Sequence, residues 1–136
     1  MTPNQKAVKE FHAVMGMTDN DKPTLVDGET AALRIAVIAE EFNELIEAIA
    51  NEDLVEIADA LGDLEYVING CANAYGIDME PIFNEIHDSN MKKVDPETGR
   101  VRYREDGKVL KPKGWKKPRL APIIEAQQGA TAALAE

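Results

Sequence analysis

Two long apolar segments, GETAALRIAVIAEEFNELIEAIA and DLVEIADALGDLEYVINGCANAY, are joined through only Asn51 and Glu52, with Asp53 opening the second. In both, apolar residues recur every three to four positions, which predicts two helices. So short a connection makes them run antiparallel, side by side. Asp27 is placed to cap the first helix. That helix is apolar on nearly all sides across Ala31–Ala39, interrupted only by Arg34, which predicts a central, buried element. In the second, Leu54, Ile57, Leu61, Leu64 and Ile68 mark an apolar face, and Gly76 offers a left-handed stop.

Shorter helices flank this hairpin. NQKAVKEFHAVMG sets Val8, Phe11 and Met15 at helical spacing before Gly16, and MTDNDKPTLVDG reads as a loop. Asp78 can cap a fourth helix, roughly MEPIFNEIHDSNMKK, in which Pro81 is tolerated because it lies in the first turn. The expected fold is all-α, an antiparallel four-helix bundle over residues 1–93. Beyond it, VRYRE and KVLKP about Asp106-Gly107 predict a small hairpin, and KPKGWKKPRLAP an extended strap with Trp115 as anchor. Residues 1–120 then form one domain, bundle plus hairpin and basic extension 94–120, and residues 121–136 a tail that is helical or frayed. At 136 residues a second independent domain is not expected.

The longest uninterrupted apolar run, Ile35–Ala39, is far below the roughly 20 residues of a membrane span. MTPNQKAVKEF has no secretory pattern, and a lone Cys71 rules out an internal disulfide framework or a multi-cysteine zinc site. A cytoplasmic location is the expectation. Charge is unevenly placed: residues 1–90 hold 4 Lys/Arg against 19 Asp/Glu, and residues 91–120 hold 11 against 4. This fits a carboxylate site whose anionic substrate is clamped by lysines, although two unrelated solvated faces would give the same balance. Duplex nucleic acid is disfavoured, because the acidic body repels phosphates.

The acids carry the chemistry. Glu40, Glu41, Glu44 and Glu47 lie on the first long helix, and Glu56, Asp59 and Asp63 on the second. At about 100° per residue, Glu40, Glu44 and Glu47 share a face with Glu41 beside Glu44, and the second set falls in a narrow wedge. Counted back from the connection, Glu44 and Glu56 stand at comparable depth, so two acidic stripes face each other. Isolated ExxE and ExxD motifs are usually solvated faces. Here the helices are apolar, and Arg34 is the only Lys or Arg between residues 23 and 90. Packed carboxylates without cations repel and are costly to desolvate, whereas a hard divalent ion, Mg²⁺ or Mn²⁺, relieves both penalties. A di-iron bundle needs Glu-x-x-His on two helices, which His12 and His87 do not complete. Cys71 sits on an apolar stripe and reads as core filler.

These residues resemble the MazG-like, all-α nucleoside triphosphate pyrophosphohydrolase superfamily, which includes dimeric dUTPases and phosphoribosyl-ATP pyrophosphohydrolases. The likeness rests on EEFNE and EIAD, which match an EExxE and ExxD pattern, and extends to VKEFHAVMG, IFNEIHDSNMKK and DGKVLKP…GW. The resemblance implies Mg²⁺-dependent hydrolysis of a (deoxy)nucleoside triphosphate to monophosphate and pyrophosphate, in pool control or house-cleaning. It implies Glu41, Glu44, Glu56 and Asp59 as metal ligands and Glu40 as the residue that orients or deprotonates water. Asn90 and Lys93 would lie near the nucleotide, with Asp63 as a further ligand or second-layer residue and Lys108 as a weaker contact. Helices this apolar also suggest a homodimer or homotetramer. The competing expectation is a non-catalytic helical interaction module with a basic, partner- or RNA-binding tail.

Overall fold

A computed structural model describes residues 1–135, which form five helices: α1 (Pro3–Val14), α2 (Gly28–Ala50), α3 (Leu54–Tyr75), α4 (Met79–Met91) and α5 (Ala121–Ala135). Side-chain oxygens set where the first four begin, by accepting from otherwise orphaned backbone N–H groups. Thr2 accepts from Gln5, Asp27 from Thr30, Asp53 from Val55 and Glu56, and Asp78 from Glu80. Both predicted glycine stops have positive φ, 73° at Gly16 and 71° at Gly76.

The loop between α1 and α2 closes over the end of α3. Asn20 donates its side-chain amide to Ala74 O at 2.7 Å, and Thr24 N–H donates to Tyr75 O at 2.9 Å. A buried amide pair then ties α1 to α3. Gln5 Nε2 donates to Asn73 Oδ1 at 3.1 Å and to Ile77 O at 2.9 Å, while Asn73 Nδ2 returns a bond to Gln5 O at 3.0 Å.

The extensive helix interfaces are α2 with α3 and α3 with α1. The central helix is therefore α3, which corrects the expectation that α2 is buried. Ile35 of α2 is 70% exposed, and Phe42, Ile46 and Ile49 lie open beside it. The apolar side chains that do bury are mostly small, with Ala48, Ala60, Ala72 and Ala74 making up most of the apolar core. Small residues let helix axes approach closely but leave the bulky apolar faces to the outside.

The expected C-terminal hairpin shrinks to one antiparallel bridge, Tyr103 with Val109, and no strand forms among the described residues. Arg104 N–H donates to Lys108 O at 2.7 Å and Leu110 N–H to Arg102 O at 2.8 Å. The ladder stops there because a two-stranded ribbon is marginal without a face to pack on, and its exposed positions are mostly charged. Trp115 is the anchor the sequence predicts: its indole N–H donates to Ser89 O at 2.8 Å, pinning the strap to α4. The tail forms α5, whose Gln127 exchanges hydrogen bonds of 2.9 and 3.0 Å with the Asp78 backbone. Glu136 lies outside the described residues. Among those residues no helix is long and apolar enough to cross a membrane.

Candidate metal centre

The α2–α3 hairpin brings residues of the two helices together at three levels. On α2, Arg34, Glu41 and Ala48 stand seven residues apart, and on α3 Gly70, Glu56 and Asp63 do the same. A Cβ on Gly70 would lie 3.1 Å from Arg34 Nη1, so the top level closes over a glycine. In the middle, oxygens of Glu41, Glu44 and Asp63 lie within 4.8 Å of one another. Near the connection, Ala48 and Glu56 line one cavity of about 300 Å³ together with Glu44, Glu47, Asn51 and Asp59. Glu44 thus belongs to both the three-carboxylate cluster and the cavity.

Glu41 is the half-buried member, and its Oε2 is enclosed without a hydrogen-bond partner among the described residues. Burial pushes its carboxyl above the usual carboxylate range, and the neighbouring Glu44 carboxyl adds to the effect, followed by the charges of Asp63 and Glu40. Glu40, Glu44, Glu56, Asp59 and Asp63 are exposed. The crevice of one chain is thus an open groove with the enclosed Glu41 oxygen at its wall, where the sequence predicts apolar surroundings for the acids.

The donor set nevertheless fits a hard cation. It is all oxygen, crowded with like charge, and includes one buried atom that nothing else satisfies. Glu41, Glu44 and Asp63 would hold it first, with Glu56 and Asp59 available in the adjoining cavity. The family resemblance leaves Asp63 as a further ligand or a second-layer residue, and the count from the connection sets Glu44 and Glu56 at comparable depth. The structure groups Asp63 with Glu41 and Glu44, and it has Glu44 and Glu56 lining one cavity. The signal was present: Asp63 is seven residues after Glu56 and four after Asp59, in the same wedge.

The four other expected residues stand apart from that trio. Glu40 is outside it, although its charge reaches Glu41. Asn90, Lys93 and Lys108 are absent from the lining of the acidic cavity. Lys93 instead places its ammonium 5.4 Å from the centre of the Trp115 ring. Lys108 sits at the lone bridge, its N–H donating to Asp106 Oδ1 at 3.2 Å.

Beyond the Gln5–Asn73 amides, two buried ionisable groups, His12 and Arg34, have no counterpart among the roles the sequence predicts. His12 Nδ1 lies 2.6 Å from Asp19 Oδ1, a pair almost fully enclosed. Arg34 is buried nearby, its Nη2 4.0 Å from Met17 Sδ and its Nε without a partner among the described residues. Cys71 is half-buried and burial raises its pKa, which disfavours the thiolate a nucleophile requires.

The pattern of the phosphoribosyl-ATP pyrophosphohydrolase family matches residues 8–90, a span that contains every acid of the groove. The chain is also similar to the uncharacterized protein L479 of Acanthamoeba polyphaga mimivirus, at 36% identity over 81 residues. The match takes in 57% of this chain and 32% of that protein, so the chain spans about a third of its relative's length. A candidate NTP pyrophosphohydrolase from Exiguobacterium sp. 255-15, known from its crystal structure, is 25% identical, with 99% of both chains covered and a TM-score of 0.49.

Proposed function

The chain belongs to the phosphoribosyl-ATP pyrophosphohydrolase family, and from that premise we propose that it hydrolyses a (deoxy)nucleoside triphosphate between its α- and β-phosphoryl groups, releasing monophosphate and pyrophosphate. The observation that carries this reading is the enclosed, unpartnered Oε2 of Glu41 beside Glu44 and Asp63. A buried carboxylate oxygen among like charges is tolerable in a protein whose resting state includes a cation. Mg²⁺, or Mn²⁺ in its place, supplies when bound the positive charge that lets a triphosphate approach acids which would otherwise repel it.

The chain's own residues then divide the work. Glu41, Glu44 and Asp63 hold the ion, and Glu56 and Asp59 extend the oxygen set along the cavity. Glu40, exposed on α2 one residue from Glu41, orients a water and accepts its proton. The new oxygen–phosphorus bond forms as the bond to pyrophosphate breaks, and pyrophosphate carries away the electron pair. Asn90 and Lys93 are the nucleotide contacts of this reading, with Lys108 a further one.

The assembly is a homodimer or homotetramer. On α2, Ile35, Phe42 and Ile49 recur at seven-residue spacing, as do Leu54, Leu61 and Ile68 on α3, and all six are at least 46% exposed. Two such stripes on an antiparallel pair form half of a four-helix bundle, which a second copy completes.

The test is pyrophosphate release from a panel of ribo- and deoxyribonucleoside triphosphates with Mg²⁺, Mn²⁺ or EDTA. Turnover with either metal and none in EDTA is expected, with a loss of at least about 100-fold in Glu41→Gln. Failure of every triphosphate to turn over with either metal would sink the reading.

A further inference from the structure

A second concavity, which shares no lining residue with the acidic cavity, lies between the end of α4 and the strap over residues 112–119. Its volume is about 310 Å³, at the small end of ligand-sized pockets. Its wall carries five cations, Lys92, Lys113, Lys116, Lys117 and Arg119. Glu85 is the only carboxylate in that wall, and its Oε1 already accepts from Arg119 N–H at 2.9 Å.

Among the described residues, none of these five cations makes an ion pair. Besides the Glu85 bond to the Arg119 backbone, the strap is held by neutral contacts: the Trp115 indole N–H on Ser89 O at 2.8 Å, and Ser89 Oγ on Lys116 O at 3.3 Å. The lysines therefore add mutual repulsion without serving as fasteners. Lys92 caps α4 and complements its dipole, but a helix C-terminus offers only about half a charge and cannot account for the other four.

We propose that this pocket binds a condensed phosphate, a group of two or three linked phosphoryl units, at a site separate from the metal centre. The charge and the small volume suit several phosphate oxygens in one place. A nucleobase or an RNA strand suits it less. The Trp115 ring has Lys93 and Lys111 ammonium groups 5.4 and 4.9 Å from its centroid, so its faces are not a free stacking platform. The acidic balance of residues 1–90 also repels a long polyanion. Free pyrophosphate or tripolyphosphate and the phosphate chain of a nucleotide share the recognised chemistry.

Trp115 is the only tryptophan in the chain and lines the pocket, so its fluorescence reports occupancy directly. Orthophosphate, pyrophosphate, tripolyphosphate, a nucleoside triphosphate and a single-stranded oligonucleotide are titrated in EDTA, which silences the metal centre. Affinity is expected to rise at least tenfold from orthophosphate to tripolyphosphate. A nucleotide that binds like tripolyphosphate shows that its phosphate chain is also accepted, whereas much weaker nucleotide binding restricts the site to free condensed phosphates. The triple variant Lys113→Gln/Lys116→Gln/Lys117→Gln should weaken tripolyphosphate at least tenfold. Lys6→Gln/Lys9→Gln, which removes charge elsewhere, should leave it within about twofold. Glu41→Gln should retain binding while losing hydrolysis, so failure of this site and failure of the proposed reaction are distinguishable. Equal affinities for ortho- and tripolyphosphate, or an equal loss in both lysine variants, would overturn the proposal. So would oligonucleotide binding tighter than tripolyphosphate and growing with length, which assigns the strap to nucleic acid.

Discussion

Glu41 of α2 and Asp63 of α3 bring carboxylate oxygens within 4.8 Å of each other across the helical hairpin, with Glu44 completing the trio. No Lys or Arg offsets this cluster through an ion pair among the described residues. The cluster ranks Asp63 ahead of Asp59, whereas the family resemblance gives Asp59 the ligand role and leaves Asp63 as a further ligand or second-layer residue.

That ranking is testable by metal binding alone. Asp63→Asn should weaken Mn²⁺ affinity by about tenfold or more, measured by titration of the Mn²⁺ EPR signal, because it removes an oxygen charge from the trio. Asp59→Asn should cost less, since Asp59 lines only the adjoining cavity. Equal or reversed losses would restore Asp59 to the ion.

The metal-free protein should carry a pH signature of Glu41. Its folded-state pKa is raised above the ordinary 4.5, first by burial and then by Glu44. As pH climbs through 4.5 the unfolded chain releases this proton while the folded chain keeps it, so the folded state binds more protons and stability falls. The loss is complete once the pH exceeds the folded pKa. Glu41→Gln removes the penalty. In EDTA its melting temperature should exceed that of the parent chain at pH 7 to 8, with the advantage gone at pH 4. Added Mn²⁺ should reverse the order at neutral pH. A pH-independent difference between the two chains would refute the assignment.

Helix boundaries were legible because capping is local: Asp27, Asp53, Asp78 and Gly76 act within a few residues of themselves. The acids were legible because 3.6-residue periodicity puts them on shared faces. Their depth was not. Which acids meet across the hairpin depends on where the two helices approach closely, as where Arg34 encloses Gly70, and that is a property of the packed pair and not of either stripe. Burial was the weakest inference, because a run such as Ile35–Ala39 predicts contact without saying whether its own chain or a second copy supplies it. The strap's hydrogen bonds to Ser89 were likewise invisible, since they join segments unrelated in sequence pattern.

Gly76 and Gly16 have nearly equal φ, 71° and 73°, yet different surroundings. A Cβ at Gly76 would sit 2.2 Å from Lys22 O, whereas at Gly16 it would meet nothing within 4 Å. Gly16→Ala should therefore cost only the left-handed conformation, about 1–2 kcal/mol. Gly76→Ala should cost about 1–3 kcal/mol more, because the loop that satisfies Ala74 and Tyr75 carbonyls must be displaced. Urea denaturation of the two variants measures the difference directly, and equal midpoints would mean the loop is not held over α3.

The apolar stripes give the last prediction. A chain that leaves Ile35 70% exposed and Leu61 51% exposed, while burying mainly alanines, has placed its bulky residues where its own helices do not reach. Burying such side chains is worth about 1.5–3 kcal/mol each, so several per chain suffice for stable association. Sedimentation equilibrium should find a dimer or tetramer at micromolar concentration, with a melting temperature that rises with protein concentration. Ile35→Glu and Leu61→Glu each put a charge into the proposed seam and should shift the chain to monomer. Leu25→Glu, in a loop position 90% exposed and outside both stripes, should leave association intact. A monomeric parent chain, or equal dissociation in all three variants, would leave these stripes without the role assigned to them.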